Sequence, residues 1–210
     1  YTGGPNDDTV YADAETHLNA SPFTRPPAGP NDDVIDVGDG GYNYVMSVAA
    51  EGALNNDAIT GAGSMNVTHV GAMGPTGSMD FSRATYKSLE FPSPGLVSPL
   101  ADGPFLVDNT RRTAYVNGVA AVTWTGDVDR FTFNGSRWRD TAPPAATAQP
   151  VGFTGGDAAE DVSIRAPIQE LSMGAGDDEV SLYSESPDLS LGRIDGGTGT
   201  DRLRVSTMCR

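Results

Sequence analysis

Acidic residues that follow glycines at a fixed spacing are the side chains of this sequence with the clearest chemical potential. Residues 196–204 read G-G-x-G-x-D-x-U-x, where U is a large apolar residue, and every specified position of this nonapeptide is filled. Residues 173–181 fit the pattern with only the first glycine replaced, and residues 155–163 fit it with alanine for the third glycine and Glu160 for the aspartate. A six-residue loop of this composition brings carbonyls and carboxylates together, which suits Ca²⁺ because it takes about 6 to 8 oxygen ligands.

The N-terminal part of the chain contains four more copies, at residues 3–11, 28–36, 37–45 and 52–60. Three of them have asparagine in place of the third glycine. We expect these asparagines to adopt the left-handed backbone conformation, which asparagine tolerates better than other non-glycine residues. The copy at 37–45 has tyrosine at the acidic position, and a weaker eighth window at 125–133 has acidic and apolar residues but lacks the glycine pattern.

These nonapeptides resemble the haemolysin-type calcium-binding repeats of RTX proteins. The resemblance covers about residues 1–60 and 151–205. It implies an all-β chain folded as an irregular right-handed parallel β-helix or β-roll, with several Ca²⁺ ions held between the loops of successive coils. The alternative interpretation is that ordinary Asp-Gly turns connect the strands of a β-sandwich. The metal ligands implied by the resemblance are the loop residues Gly3, Asn6, Asp7, Asp8, Asn31, Asp32, Asp33, Asp39, Asn55, Asp57, Asp157, Glu160, Gly174, Gly176, Asp177, Asp178, Asp195, Gly197, Gly199 and Asp201.

A strand of three residues is expected after each loop, with its middle apolar side chain pointing inward, because successive side chains of a strand alternate between its faces. Two nonapeptides make one turn of a flattened parallel helix, so the windows that begin at positions 155 and 173 are one coil apart. The windows that begin at positions 3, 28 and 52, and at 173 and 196, are more widely spaced and require a longer excursion in each coil. The residues predicted to point inward are Val10, Ile35, Ile59, Val162, Val180 and Leu203.

Composition and charge favour a loop-rich β protein that binds cations. The chain has 13 basic and 28 acidic residues and a formal net charge of −15, which disfavours nucleic acid and anionic membranes as partners. Its 26 glycines and 15 prolines favour short strands and tight turns over long helices. No apolar run approaches the ~20 residues of a spanning helix, so we expect no membrane span. The chain begins at Tyr1 without a signal-peptide pattern, and we expect a processed chain or an excised segment.

Calcium is also expected to supply folding energy. Each coil is predicted to bury only one or two aliphatic side chains, which hardly offsets the conformational entropy of ordering roughly twenty residues. About five calcium ions would contribute roughly +10 against the formal charge of −15. We therefore expect the metal-free chain to be disordered and the calcium-bound chain to be folded.

The nonapeptide pattern divides the chain into N-terminal β-roll-like repeats at 1–69, a non-repeat β insertion or enlarged coils at 70–150, and C-terminal β-roll repeats at 151–210. The aromatic and basic residues of the middle segment have two interpretations. They form a carbohydrate- or partner-binding face, or they belong to an enlarged coil whose aromatic side chains close the end of the core. The alternating run Val122-Thr123-Trp124 favours the second. The residues concerned are Tyr115, Trp124, Trp138, Arg111, Arg112, Arg130, Arg137 and Arg139.

Catalytic signatures are missing from the sequence. His17 and His69 belong to no metal-binding motif, and Cys209 has no cysteine or histidine partner. We therefore predict a calcium-stabilised structural or adhesive module of a secreted or cell-surface protein and not an enzyme. Extracellular, millimolar calcium suits such weak sites. The expected partners are calcium and either surface polysaccharide or other copies or segments of the parent protein, as in an adhesin or a surface layer.

The alternative function is a calcium-dependent carbohydrate-active β-helix, such as a polysaccharide lyase. A lyase requires a positively charged base and positively charged residues that contact its acidic substrate. In this sequence only Lys87 and the arginine cluster could serve in these roles.

Overall fold

The computed structural model describes residues 9–11, 16–19, 32–39, 42–48, 54–70, 72–91, 104–133, 150–184 and 191–207. All regular structure in these ranges is β. They contain no helix with the length and apolarity that crossing a membrane requires. The strands are β1 (Thr9–Tyr11), β2 (Thr16–Asn19), β3 (Val34–Asp36), β4 (Tyr42–Val48), β5 (Leu54–Asn55), β6 (Ala58–Thr60), β7 (Ser64–Val70), β8 (Ala72–Met73), β9 (Ser78–Asp80), β10 (Tyr86–Phe91), β11 (Phe105–Asp108), β12 (Thr113–Val116), β13 (Val119–Thr123), β14 (Arg130–Phe133), β15 (Val151–Thr154), β16 (Asp161–Ile164), β17 (Ile168–Ser172), β18 (Glu179–Ser184), β19 (Arg193–Asp195) and β20 (Arg202–Thr207).

Parallel pairing between successive passes of the chain organises the fold. The longest sheet has the strand order β2-β4-β7-β10-β14-β16-β18-β20, and all its pairs are parallel. Between these strands, the first half of the chain contributes strands to the sheet β1-β3-β6-β9 and the second half to the sheet β13-β12-β11-β15-β17-β19. Strands β5 and β8 form a short additional sheet. The result is a parallel β-solenoid of about six turns, which confirms the predicted all-β, parallel β-helix class.

The strand register reproduces the spacing of the repeats. The windows that begin at positions 3, 28 and 52 lead into β1, β3 and β6, where Thr9 pairs with Val34 and β3 pairs with β6 in the same way. The windows that begin at positions 155, 173 and 196 lead into β16, β18 and β20, where Asp161 pairs with Glu179 and β18 pairs with β20 in the same way. In every case the paired residues occupy the seventh position of their windows. The coil lengths predicted from the nonapeptide windows are therefore confirmed in the described strands.

Rows of apolar side chains, one from each coil, make up the interior. One row along the longest sheet consists of Val45, Val67, Leu89, Phe131, Val162 and Val180. Near the middle of the solenoid, five phenylalanine rings pack with centroids between 5.0 and 6.3 Å apart. This core is larger than the one or two aliphatic side chains per coil expected from the sequence, so apolar burial itself contributes to the stability. With such a core we expect the metal-free chain to be folded but less stable than the calcium-bound chain.

Five of the residues predicted to point inward have described side chains. Ile35, Ile59, Val162 and Val180 are buried. The prediction is wrong for Leu203, which is 53% exposed. Leu203 follows Val180 in the same row, but β20 is the last described strand of its sheet and no described coil covers it. The sixth predicted residue, Val10, has a side chain that lies outside the described part of the structure.

An enlarged coil lies in the middle of the solenoid. Strands β10 and β14 pair directly, with Ser88 opposite Arg130, although a long excursion of the chain separates them. Part of this excursion is the β12–β13 hairpin, which pairs with β11 in the antiparallel sense. The hairpin turns at Asn117 (φ 50°) and Gly118 (φ 77°), the two left-handed residues of a type I′ turn. The chain returns to β14 through Thr125, which bridges to the end of β9.

Candidate metal-binding loops

Close stacking of one loop on the next requires the glycines of the C-terminal loops. Gly197 (φ 81°) has a left-handed backbone, and a Cβ atom at this position would contact the carbonyl oxygen of Gly174 in the preceding loop. Gly199 (φ 140°) has the same relation to Gly176. The loops, which precede β16, β18 and β20, are residues 155–160, 173–178 and 196–201. The close stacking of these loops therefore requires glycine at these positions, whether or not a metal ion is bound.

Backbone hydrogen bonds join these three loops. The N–H of Ala175 donates to the carbonyl of Gly156, and the N–H of Thr198 donates to the carbonyl of Gly174, each at 2.9 Å. The N–H of Gly176 donates in turn to the carbonyl of Thr198. Because these carbonyls already accept a hydrogen bond from an adjacent coil, a bound cation would have to share them.

The acidic residue at the sixth position of each loop links its coil to the preceding one. Asp201 Oδ1 accepts a hydrogen bond from the backbone N–H of Asp178 (3.2 Å), and Asp178 Oδ1 accepts one from the backbone N–H of Glu160 (2.8 Å). In the N-terminal block, Asp57 Oδ1 accepts one from the backbone N–H of Asp33 (3.0 Å). We call the stacked residues Glu160, Asp178 and Asp201 the acid ladder. Each of these carboxylates has a structural role besides any contact to a metal.

Two oxygen atoms of the acid ladder, Glu160 Oε2 and Asp178 Oδ2, are buried and accept no hydrogen bond from a donor among the described residues, while the two carboxyl groups lie within hydrogen-bonding distance of each other. Glu160 and Asp178 are only 3% and 2% exposed. Glu160 Oε1, in contrast, accepts hydrogen bonds from the N–H of Gly156 (2.7 Å) and from Asn109 Nδ2 (3.0 Å). Burial raises the pKa of Glu160 to about 7 and also raises the pKa of Asp178. A cation would satisfy both of these buried acceptors.

A surface depression of about 310 Å³ lies between the last two loops. Among its lining residues, Asp177 Oδ1 accepts a hydrogen bond from the N–H of Thr200 (2.8 Å). Arg202 Nη1 lies 3.5 Å from Glu179 Oε2. Over the described ranges, no group of three or more His, Cys, Asp and Glu side chains is arranged to hold a metal ion. The depression is lined by Asp177, Asp178, Glu179, Thr200, Asp201 and Arg202.

In the N-terminal block two of the predicted ligands, Asn55 and Asp57, belong to a buried polar network. Asp57 Oδ2 accepts a hydrogen bond from Ser47 Oγ (2.6 Å), and Ser47 Oγ lies 3.4 Å from His69 Nδ1. Asn55 Nδ2 donates to the same hydroxyl oxygen (2.8 Å). Burial raises the pKa of Asp57 to about 7. Both oxygens of Asp57 therefore already accept hydrogen bonds, one from this network and one from Asp33.

The expected left-handed backbone of the asparagine at the third glycine position is wrong for Asn55. This residue ends strand β5, and its φ is not positive. Its side chain instead accepts a hydrogen bond from the N–H of Asp57 (3.0 Å) and so forms the turn through its amide group. Asn6 and Asn31, the other two asparagines of this kind, are not described.

The remaining predicted ligands are dispersed. Asp195 Oδ1 accepts a hydrogen bond from the N–H of Gly197 (3.1 Å), and Asp195 Oδ2 accepts one from Arg193 Nη2 (2.7 Å). Asp39 is exposed and lies 3.9 Å from a guanidinium group, and Asp157 is exposed in its loop. Asp32 and the buried Asp33 immediately precede β3. The predicted ligands that lie outside the described residues are Gly3, Asn6, Asp7, Asp8 and Asn31.

Three polar residues that contact predicted ligands, or belong to their network, were not singled out as ligands from the sequence. Ser47 and His69 occupy paired positions on β4 and β7, and both are buried. Polar residues at inward positions of a strand are a signal that could have identified this pair. Asn109 follows β11 and has no such signal, because its contacts depend on the next coil.

The basic and aromatic residues of the enlarged coil whose contacts are described lie partly in the core and partly in exposed contacts with neighbouring side chains. Trp124 is only 5% exposed and packs against Phe131, as the alternating pattern predicts. Arg112 Nη2 contacts Asp127 Oδ1 at 2.7 Å, and this contact lowers the pKa of Asp127. Arg130 stacks on a half-buried tyrosine ring and pairs with a neighbouring carboxylate. Trp138, Arg137 and Arg139 are outside the described residues.

Comparisons of the chain with family models, with curated proteins and with solved structures returned no match. The resemblance to haemolysin-type repeats therefore rests on the nonapeptide residues alone and stays a prediction.

Proposed function

We propose that this chain is a calcium-binding, calcium-stabilised structural or adhesive module of a secreted or cell-surface protein. The observation that carries the proposal is the adjacent pair of buried carboxyl groups of Glu160 and Asp178, whose Oε2 and Oδ2 atoms accept no hydrogen bond from a donor among the described residues. A buried carboxylate without a counter-charge is unfavourable by several kcal/mol, and a hard divalent cation removes that penalty. The oxygen-rich glycine loops around these two residues supply further ligands of the type that calcium prefers.

The distribution of positive charge supports the same conclusion. The described ion pairs involve arginines on the exposed surface, such as Arg130, Arg193 and Arg204. None of the ion pairs between described residues includes Glu160 or Asp178. With a formal net charge of −15, self-repulsion opposes the compact state, and bound multivalent cations would reduce it.

The experiment is a calcium titration of metal-free protein, followed by circular dichroism and by thermal unfolding. We expect saturating calcium to increase the β signal and to raise Tm by about 5 °C or more, because ligand that binds only the folded state adds free energy of unfolding. Magnesium is expected to substitute poorly, since its octahedral shell does not suit carbonyl-rich loops. A chain that unfolds at the same temperature in calcium and in excess chelator would contradict the proposal.

Variants of the acid ladder make this test specific. Asp178→Ala and Asp201→Ala are each expected to reduce the calcium-dependent rise in Tm, because each removes a charged candidate ligand. Asp188→Ala is the matched control, since it removes the same charge from outside every nonapeptide. Equal losses in all three variants would attribute the calcium effect to general acidity and would remove the assignment of these loops.

A further inference from the structure

Asn109 lies where the enlarged coil meets the C-terminal loops. It follows β11, whose last residue, Asp108, pairs with Thr154 at the end of β15. The backbone N–H of Asn109 donates to the carbonyl of Thr154 (2.8 Å). Asn109 therefore lies one coil before Gly155, where the first C-terminal glycine loop begins.

The side chain of Asn109 connects three parts of the chain. Its Nδ2 donates to the carbonyl of Val128 (3.1 Å) and to Glu160 Oε1 (3.0 Å). Residues 109 and 128 flank the part of the excursion that contains the β12–β13 hairpin. This side chain thus links the two ends of the hairpin segment and contacts the acid ladder at Glu160, the first of its members along the chain.

Asn109, Glu160 and Asp178 each have one buried oxygen atom that accepts no hydrogen bond from a donor within the described ranges: Asn109 Oδ1, Glu160 Oε2 and Asp178 Oδ2. The carboxyl groups of Glu160 and Asp178 also lie within hydrogen-bonding distance of each other. The three residues are linked in sequence, because Asn109 Nδ2 donates to Glu160 Oε1 and the backbone N–H of Glu160 donates to Asp178 Oδ1. The carboxylate of Glu160 lies over its own loop, since a Cβ atom on Gly155 would be 2.9 Å from Glu160 Oε2. Glu160 is 3% exposed, so bulk water does not solvate this group.

We propose that Asn109, Glu160 and Asp178 form a distinct cation site, the junction site, in which the amide oxygen of Asn109 is a ligand from outside the nonapeptide repeat. The ion is a hard divalent cation of the calcium type, because two carboxylates and a neutral amide oxygen match its preference for oxygen ligands. This inference rests on the proposed calcium-binding function. Occupation of the junction site ties the enlarged coil to the C-terminal coils, so calcium stabilises the β12–β13 hairpin as well as the loops.

The test compares calcium binding to metal-free wild type, Asn109→Ala and Asn109→Asp by isothermal titration calorimetry, with unfolding followed in chelator and in calcium. The control is Asn117→Gly, which removes an asparagine side chain from the same coil at a hairpin position with φ 50°, where glycine fits. We expect Asn109→Ala to lose one bound ion or to weaken one site about 10-fold or more. We expect Asn109→Asp to unfold more easily in chelator, because it places a third carboxylate beside Glu160, and to bind calcium at least as tightly as wild type.

The outcomes separate this inference from the proposed function. If wild type and Asn117→Gly bind calcium and Asn109→Ala binds the same number of ions with the same affinities, Asn109 is only a hydrogen-bonding residue and the junction site is wrong. If Asn109→Ala does not fold, Asn109→Asp decides. Folding restored by calcium supports the site, and failure to fold in about 10 mM calcium, roughly tenfold above the Kd of the weakest extracellular sites, overturns it. If wild type binds no calcium, both proposals fail.

Discussion

At the sixth position of a glycine loop, the two oxygen atoms of one carboxylate have different surroundings. In Asp178, Oδ1 accepts a hydrogen bond from the backbone N–H of Glu160, while Oδ2 is buried and accepts none from a donor among the described residues. The first contact explains why an acid recurs at this position even without metal, since it satisfies a backbone donor of the preceding coil. The second atom is the one that a cation would contact. Stacking and the proposed metal binding would therefore use different oxygens of the same residue.

Gly118 and Gly197 have nearly the same φ, so replacing each by alanine shows how much of the loss of stability comes from loop stacking. A Cβ atom added to Gly118 (φ 77°) would have no neighbour within 4 Å, whereas a Cβ on Gly197 (φ 81°) would contact the carbonyl of Gly174. We expect Gly118→Ala to cost about 1–2 kcal/mol through backbone strain alone, and Gly197→Ala to cost measurably more. Urea unfolding of both variants checks this. Equal losses would show that the last two loops do not stack as closely as described.

At the level of elements, polar side chains join strands of successive coils inside the N-terminal block. Ser47 lies on β4, Asn55 ends β5, Asp57 precedes β6 and His69 lies on β7, and all four are buried. The hydroxyl of Ser47 is the centre of this network, because the other three side chains each lie within 3.4 Å of it. Such a network orients its strands only while its donors and acceptors are matched.

The pKa of Asp57 makes the stability of this network depend on pH. Burial raises it from 3.8 to about 7 in the folded chain, so the folded state binds a proton more tightly than the unfolded state. This contribution to the free energy of unfolding is complete below about pH 4 and is lost as pH rises through about 7. We expect metal-free protein to be less stable at pH 8 than at pH 5, as measured by urea unfolding.

Asp57→Asn provides the check on that assignment, because an amide resembles the protonated acid and does not titrate. The variant should have a flatter stability profile between pH 5 and 8, while Asp39→Asn, at an exposed position, should keep the wild-type profile. An unchanged slope in Asp57→Asn would assign the pH dependence to another group.

For the whole molecule, the solenoid makes the environment of a residue depend on whether another coil follows. Val180 and Leu203 are paired neighbours in one row of side chains, yet Val180 is 4% exposed and Leu203 is 53% exposed. The difference arises because β18 has strands on both sides and β20 has a described neighbour on one side only. Burial in this fold therefore reflects position along the solenoid axis as well as the alternation of side chains within a strand.

This contrast predicts different costs for the same kind of truncation. Val180→Ala is expected to destabilise the chain by about 1–3 kcal/mol, because it removes buried methyl groups and leaves a cavity. Leu203→Ala removes more carbon atoms but is expected to cost less than about 1 kcal/mol, since its side chain is half in water. Thermal unfolding of the two variants measures both values. A larger loss for Leu203→Ala would mean that the last coil is covered in solution.

The sequence by itself determined the all-β class and the coil lengths, because both depend on local spacing. Loops rich in glycine and aspartate recur along the chain, and parallel stacking converts the interval between one loop and the next into one coil. The inward positions of Ile35, Ile59 and Val162 follow from strand alternation in the same way.

Only the tertiary structure decided which carboxylate oxygen atoms accept hydrogen bonds from the preceding coil. It also decided that the side chain of Asn55 forms the turn and that Leu203 is exposed. The contact between Asn109 and Glu160 joins residues 51 positions apart, and the contact between Asp178 and Glu160 joins residues 18 apart. No local pattern contains such pairs, because they form when one coil is placed on the next. Hydrogen-bond partners and burial in a solenoid are properties of that stacking, and a nonapeptide read alone does not contain the neighbouring coil that supplies them.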